Sequence, residues 1–336
     1  MSSSHDIIVI GAGVLGLCSA VELARRGHSV LVVDPGQPSA SSVAAGMIAP
    51  AAEAWADFAA SGAEHAALFT QARDLWPEFS DRLDIALHRD GLEWRGPDAD
   101  AVADAWSKWG FPVTRNPRLF TPADWRVAPE PALAAMRRAP GLDLLEGKAV
   151  SVFETGRHDW LVTLADGAEA SARAVVVATG VGGLDGPPDL TAALARISPI
   201  RGQLGFMALD RSGPVVRGAP GYVAPAEGGA VFGATMDFGR MDLKPDADAG
   251  AVMAWACLAM VDADPGGPID WRVGIRGASP DGLPMAGHVA NGLFIALAPR
   301  RNGWLLGPMV GQVVADAVAG RKAGPNAEAF DPARFP

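Results

Sequence analysis

Gly11-Ala12-Gly13-Val14-Leu15-Gly16 and Asp34 are the residues whose types and spacing speak most directly of chemistry, because together they can hold a nucleotide diphosphate. In a G-x-G-x-x-G turn the first glycine permits the tight bend and the second lets backbone approach a pyrophosphate. The third lets a helix pack close to the preceding strand. A helix expected over residues 14–26 would aim its positive end and free N–H groups at the phosphates. Asp34, at the end of the next expected strand, carries the carboxylate that can accept both hydroxyls of an adenosine ribose and would repel a 2′-phosphate. The motif alone fits FAD and NAD equally.

Arginines supply a second kind of chemistry. Over residues 271–276, Trp271, Val273 and Ile275 alternate with Arg272, Gly274 and Arg276, so a strand would put both guanidinium groups on one face. A guanidinium is the natural bidentate partner of a carboxylate, although from the strand alone a surface position is the expectation for both. Arg300-Arg301-Asn302-Gly303 stands before the last expected helix, between the apolar Leu297 and Leu305-Leu306. A donor-rich loop at a helix N-terminus would stabilise negative charge beside it. Tyr222 is the only tyrosine; it reads either as a packing residue or as a hydroxyl in a site. Ser41 and Ser42 lie in a run of small residues suited to phosphate or ribityl contact. The stripe Val252, Trp255, Leu258 and Met260 reads as helix core.

These residues must be carried by a mixed α/β chain. Its 336 residues suggest about two domains. Ile7 to Ile10 is a continuous apolar run, as in a strand buried on both faces, and residues 174–178 repeat that pattern before Thr179-Gly180. Helices are expected over 53–60 and 63–83 with a kink at Pro77, over 98–109, over 246–261, and over 308–319 with Pro308 in the first turn. Residues 111–131 carry five prolines and read as an irregular connection. Strands are expected over 142–152, 160–164 and 168–178, then an antiparallel set over 200–209, 221–224, 230–235 and 271–275. The fold expected is a Rossmann-like nucleotide domain with an inserted antiparallel-sheet domain. The first would comprise residues 1–84, 140–196 and 285–336; the second, 85–139 and 197–284.

Composition excludes several classes. A net charge of −10 argues against a nucleic-acid surface, and no apolar run is long enough to span a bilayer. Met1 to Asp6 lack a basic region, so a signal peptide is not expected and a cytoplasmic location is. Cys18 and Cys257 both fall in expected helices and read as buried apolar residues. None of the six histidines (His5, His28, His65, His88, His158, His288) has metal-ligand spacing. A G-x-S-x-G elbow and a P-loop are both absent.

Several blocks, in order, resemble the D-amino-acid oxidase superfamily of flavoproteins, most nearly its glycine oxidase and thiamine-biosynthesis oxidase branch. They are the 11–16 turn, Ala44-Ala45-Gly46-Met47-Ile48, Arg201-Gly202-Gln203 and Gly233-Ala234-Thr235-Met236. Gly274-Ile275-Arg276 with Asp281-Gly282-Leu283-Pro284, and Arg301-Asn302-Gly303-Trp304-Leu305-Leu306, complete the series. The resemblance implies non-covalent FAD. It places Asp34 and Pro35 at the ribose, Ala40, Ser41 and Ser42 at the pyrophosphate and ribityl chain, and Ala45, Gly46 and Met47 near the flavin ring. Val150 would meet the adenine end, Thr179 and Gly180 would flank the turn, and 299–305 would follow the pyrimidine edge. Arg276 would bind a substrate carboxylate with Arg301 and Tyr222, and Met236 would line the pocket.

The implied reaction is oxidation of glycine, sarcosine or a small D-amino acid to an imine and 2-oxo acid. A hydride would pass to flavin N5 and dioxygen would yield hydrogen peroxide. A dehydrogenase of an amino or 2-hydroxy acid, using a quinone or protein acceptor, is the alternative. A homo-oligomer is possible. Where relatives often carry Gly-His before the Arg301 position, this chain has Ala298-Pro299, and Pro220-Gly221 stands where a pocket histidine precedes the Tyr222 position.

Overall fold

A computed structural model describes residues 5–56, 58–156, 159–321 and 324–335. His158 and residues 1–4, which bear on the metal and leader expectations above, lie outside them. Backbone contacts divide the chain into two units, residues 1–42, 130–200 and 276–336, and residues 43–129 and 201–275.

The first unit is built on parallel strands in the spatial order Leu142–Glu146, Val30–Asp34, His5–Ile10, Glu169–Val177, Leu293–Leu297. Ile7 pairs with Val30 on one side and Ala174 on the other. Both neighbours are strands and both faces are covered, so Ile7, Ile8, Val9 and Ile10 are all buried. Helices Val14–Arg25 and Gly303–Val318 pack on each other so tightly that a Cβ at Gly311 would stand 2.6 Å from the Cys18 carbonyl oxygen. Met285–Ala290 adds an antiparallel edge, and Ala149–Glu154 with Trp160–Leu164 form a meander onto the start of Glu169–Val177.

Two expectations are corrected here. Residues 142–152 are two strands divided at Gly147-Lys148, one in the parallel sheet and one in the meander. The closing helix begins at Gly303, so Pro308 is interior. It is tolerated because it removes only the one amide that would have bonded the Trp304 carbonyl.

A nine-stranded, mainly antiparallel sheet is built largely from residues of the second unit. Its order is Asp237–Phe238, Ser198–Met207, Gly229–Gly233, Gly221–Ala226, Val215–Gly218, Leu92–Trp94, Leu119–Thr121, Thr114–Arg115, with Ile269–Ala278 paired to Ser198–Met207. The stretch expected to be irregular thus supplies the last two strands of this sheet, and helix Pro129–Arg137 begins within it. The helix expected over 63–83 is broken at Leu75, with Pro77 in the first turn of Trp76–Leu83.

Helix Ala247–Ala259 covers one sheet face, burying Met253, Ala254, Cys257 and Leu258 against Val223, Ala230 and Phe232. The stripe expected in the core is therefore only partly there: Leu258 is buried, but Val252 is 72% and Trp255 63% exposed. Apart from Asp248 the helix is apolar on every side, so sequence periodicity could not orient it.

Asp124 is fully buried beneath helix Pro50–Ala56 and accepts the amides of Ala51 at 2.8 Å and Ala52 at 3.0 Å. Burial pushes its carboxyl up to about 7, against the pull of those amides and of Arg217, which pairs with Glu53 at 2.6 Å. The folded chain therefore holds a proton that the unfolded chain releases near the ordinary carboxylate value. This contribution is greatest below pH ~4 and is lost as pH rises to ~7, by on the order of 2–4 kcal/mol. Asp124→Asn is expected to melt lower at every pH, because its amide opposes one of the two N–H donors. Its midpoint should also change less between pH 5 and 8 than the wild type's. Parallel pH profiles from differential scanning fluorimetry would rule this out.

Candidate active site

The turn after the first strand is built by backbone contact. Gly11 has φ 111°, and a Cβ there would lie 2.4 Å from the Ala178 carbonyl oxygen. At Gly16 a Cβ would lie 2.0 Å from the Gly11 carbonyl oxygen. Gly13 differs: its φ is −73°, and a Cβ would meet only the Ser41 hydroxyl at 3.3 Å. Open space over Gly13, at the start of a helix, is what an approaching diphosphate requires. The Val14 amide donates to Ser41 Oγ at 3.0 Å, and Leu15 is buried.

Asp34 accepts the Ala12 amide at 2.7 Å and the Gly36 amide at 2.9 Å. A carboxylate has about four acceptor sites, so capacity remains for ribose hydroxyls. Pro35 is exposed beyond it. The Gly147 amide donates to the Asp34 carbonyl at 2.9 Å, which ties the meander to this corner. Val150 sits at a bulge in that meander, 37% exposed, its carbonyl accepting the Asp185 amide at 3.0 Å.

Thr179 Oγ1 donates to the Gly182 carbonyl at 3.0 Å, and Gly180 has φ 65°, so both shape the turn beside Gly11. Ala40, Ser41 and Ser42 open the short helix Ala40–Val43. Ser42 Oγ is engaged with Ser39, accepting its amide at 3.0 Å and donating to its carbonyl at 2.9 Å. Of the serine pair, Ser41 is the one at the glycine turn.

The tail of the chain is seated on the same corner. A Cβ at Gly303 would lie 3.1 Å from Val14, and Trp304 Nε1 donates to the Ser41 carbonyl at 3.1 Å. Leu305 is fully buried, and Asn302 is 3% exposed with its Oδ1 enclosed and without a hydrogen-bond partner. Two long helices, Val14–Arg25 and Gly303–Val318, therefore begin side by side, and their positive ends suit a diphosphate and an electron-rich ring edge. FAD presents both, so the residues fit it.

Ala298 and Arg300 have φ 60° and 52°, left-handed values that cost a non-glycine residue about 1 kcal/mol or more. The Arg300 amide donating to the Gly277 carbonyl at 2.8 Å and the Pro299–Ala278 bridge hold them there. Arg276 is half-buried one residue before Gly277, and Arg301 is half-buried next to Arg300.

In the second unit, Ala45 and Gly46 are buried; Gly46 has φ 69° and its carbonyl accepts the Val127 amide at 3.0 Å. Met47 pairs with Arg126. Tyr222 is half-buried and, alternating with Val223, lies on the sheet face away from helix Ala247–Ala259. Met236, half-buried, follows strand Gly229–Gly233. Arg272 is a surface residue, paired with Asp270 at 2.8 Å and stacked 5.0 Å from the Phe206 ring.

Sequence reasoning assigned no role to Arg201 and Gln203. Arg201 is fully buried, with its guanidinium on Asp237 at 2.8 Å, on the Asp242 carbonyl at 3.1 Å and on the Lys244 carbonyl. Gln203 accepts the Asp246 amide at 2.7 Å and donates to its carbonyl at 2.9 Å. The pair clamps residues 237–246, which follow Met236. Asp281 is likewise structural: it accepts the Leu283 amide at 3.0 Å and pairs with Arg334, and Arg334 foremost keeps its carboxyl, against the effect of burial, below the usual range. Cys18 and Cys257 are buried and free, and burial pushes both thiols up, Cys257 to about 11. Among the described residues no group of His, Cys, Asp and Glu could hold a metal ion.

The family described as "FAD dependent oxidoreductase" matches residues 6–317. The chain is 29% identical to glycine oxidase of Geobacillus kaustophilus, over 100% of this chain and 97% of that protein. It is 26% identical to the tRNA 5-methylaminomethyl-2-thiouridine biosynthesis bifunctional protein MnmC of Idiomarina loihiensis, over 94% of this chain but only 56% of that longer protein. The crystal structure of glycine oxidase from Geobacillus kaustophilus superposes with a TM-score of 0.78 at 26% identity, covering 99% of this chain and 98% of that one.

Proposed function

The chain belongs to the FAD-dependent oxidoreductase family, and from that membership we propose that it oxidises a small amino acid, glycine, sarcosine or a D-amino acid, using dioxygen as acceptor. The observation that carries this reading is the placement of Arg276. It lies one residue before Gly277, whose carbonyl accepts the Arg300 amide at 2.8 Å, and so beside the loop that opens helix Gly303–Val318. A half-buried guanidinium there offers a fork to a substrate carboxylate, which fixes which hydrogen of the Cα carbon points inward. FAD, when bound, supplies the two-electron chemistry, and the protein's part is to bind and orient. With the amine neutral, the reaction requires no protein acid or base. The resulting imine would hydrolyse in water to the 2-oxo acid and the amine.

On this reading the glycine turn, Asp34 and the 302–305 segment hold FAD. No helix among the described residues is long and apolar enough to cross a membrane.

The test is anaerobic addition of glycine, sarcosine and D-alanine in turn to flavin-loaded protein, followed by air and a peroxide assay. Bleaching by one of them and rapid recovery in air with peroxide are expected. Slow recovery would move the acceptor to a quinone or a protein; no bleaching by any amino acid would end the proposal. Arg276→Ala is expected to raise KM about ten- to a hundred-fold, because hydrogen bonds to charged groups are worth roughly 1.5–3 kcal/mol. Arg276→Lys should recover only part of this, since it keeps the charge and loses the fork. An unchanged KM in Arg276→Ala would remove that residue from the site.

A further inference from the structure

Helix Ala247–Ala259 has one charged residue, Asp248, in thirteen. Its inner face is buried against the sheet, yet its outer face, Ala247, Asp248, Ala251, Val252, Trp255 and Ala259, is exposed and apolar but for Asp248. A surface helix normally turns polar side chains outward, and one that is apolar all round is normally covered. The loop leading into it adds Phe238, Met241 and Leu243, exposed by 68%, 56% and 63%. Beside the helix, a cavity of about 580 Å³ is bounded by Pro220, Ala234 and Thr235 on one side and by Asp248, Ala249, Val252 and Met253 on the other.

We infer that this face is a self-association surface on which a second copy of the chain docks, helix Ala247–Ala259 against its own counterpart, antiparallel across a twofold axis near Val252.

Three observations select a second copy as the occupant. The first is shape. Trp255 projects three residues after Val252, and Ala249, on the cavity wall, stands three residues before it. An antiparallel pair centred on Val252 brings each Trp255 opposite the other copy's Ala249, so every copy offers both the knob and the hole. That reciprocity is the signature of an isologous interface, and the alanines allow close approach of the two helices.

The second is area. At roughly 200 Å² per large side chain, the exposed parts of Val252 and Trp255 on the helix and of Phe238, Met241 and Leu243 before it come to on the order of 600 Å². That equals the largest patch of a typical monomer and is a fitting apolar centre for the ~800 Å² that each partner buries in a stable interface.

The third is charge. The two copies of Asp248 would lie four residues to either side of the axis, about 12 Å apart along the helices, so they do not oppose each other. The rim has both signs, with Arg240 and Lys244 beside Asp242. An anionic lipid surface suits this rim less well, in a chain of net charge −10.

The test is sedimentation velocity of the full, FAD-loaded chain between about 0.5 and 50 µM, for the wild type and Trp255→Glu. The wild type is expected to sediment as a dimer or a higher even-numbered assembly. Trp255→Glu should weaken self-association by about 100-fold or more, the scale of a central tryptophan, with unchanged flavin per chain. Val252→Cys gives an independent measurement that needs no disruptive substitution. Cys18 and Cys257 are buried, so mild oxidation should join two copies through residue 252 alone. If Trp255→Glu loses its flavin, the cross-link decides. A wild type that stays monomeric, with a foreign protein or nothing on the face, overturns the inference. So does an assembly that Trp255→Glu leaves intact, or one that Val252→Cys fails to cross-link.

Discussion

Gly16→Ala is expected to yield protein with less than about a tenth of the wild-type flavin content. The new methyl group would stand 2.0 Å from the Gly11 carbonyl oxygen and 3.1 Å from the Ala178 methyl. Neither can yield easily. Gly11 is itself wedged against the Ala178 carbonyl, and its amide is held by the Val33 carbonyl at 2.8 Å. The start of helix Val14–Arg25 must therefore move off the strand, carrying its N–H groups away from the phosphates, and overpacking of this kind costs about 1–3 kcal/mol in addition. Gly13→Ala is the informative companion. Its φ of −73° suits alanine, and only a serine hydroxyl stands near the new methyl. It should melt within about 2 °C of the wild type yet bind FAD at least about ten-fold more weakly, because it fills the space a diphosphate needs. Full flavin occupancy in both variants would show that this turn does not hold the cofactor.

The contrast between Gly13 and Gly16 also shows why the geometry of the proposed cofactor corner was legible in the sequence. Each element there is local: a buried strand, a turn whose glycines follow from backbone geometry, a helix, and an acid at the end of the next strand. Ser41 and the 302–305 segment, remote in sequence, come to the same corner in the structure through the Val14 amide and the Trp304 indole.

What was not legible depends on partners far along the chain. Helix Ala247–Ala259 has no polar face, so nothing in its own sequence told Trp255 from Met253, and the sheet beneath it made the choice. Residues 142–152 were apolar enough to read as one strand, but Gly147 is where the chain leaves the parallel sheet for the meander. Asp124 resembles any loop aspartate until the amides of Ala51 and Ala52 close over it. Arg201, one basic residue before a glycine, gave no sign of being enclosed.

That enclosure makes Arg201→Met the second substitution expected to have a large effect. The aliphatic stem is replaced in kind, so the loss reports on the guanidinium. Asp237 loses its 2.8 Å partner, the carbonyls of Asp242 and Lys244 lose their donor, and Gln203 loses one contact at 3.2 Å. Breaking a buried pair from one side costs about 3–5 kcal/mol, because the other charge is left behind.

Residues 239–246 form no helix or strand; Arg201 and Gln203 hold them from within, so the loss should be felt there first. Two readouts are expected to move together: a fall in thermal midpoint of roughly 6–20 °C, and faster proteolytic cleavage after Arg240 or Lys244. Arg201→Lys should not rescue either, since one ammonium cannot reach a carboxylate and two carbonyls in the fixed plane of a guanidinium. Asp237→Asn should cost less than Arg201→Met, because the arginine keeps its carbonyl acceptors. Rescue by lysine, or a midpoint within about 2 °C of the wild type, would mean that the loop is held by something other than this clamp.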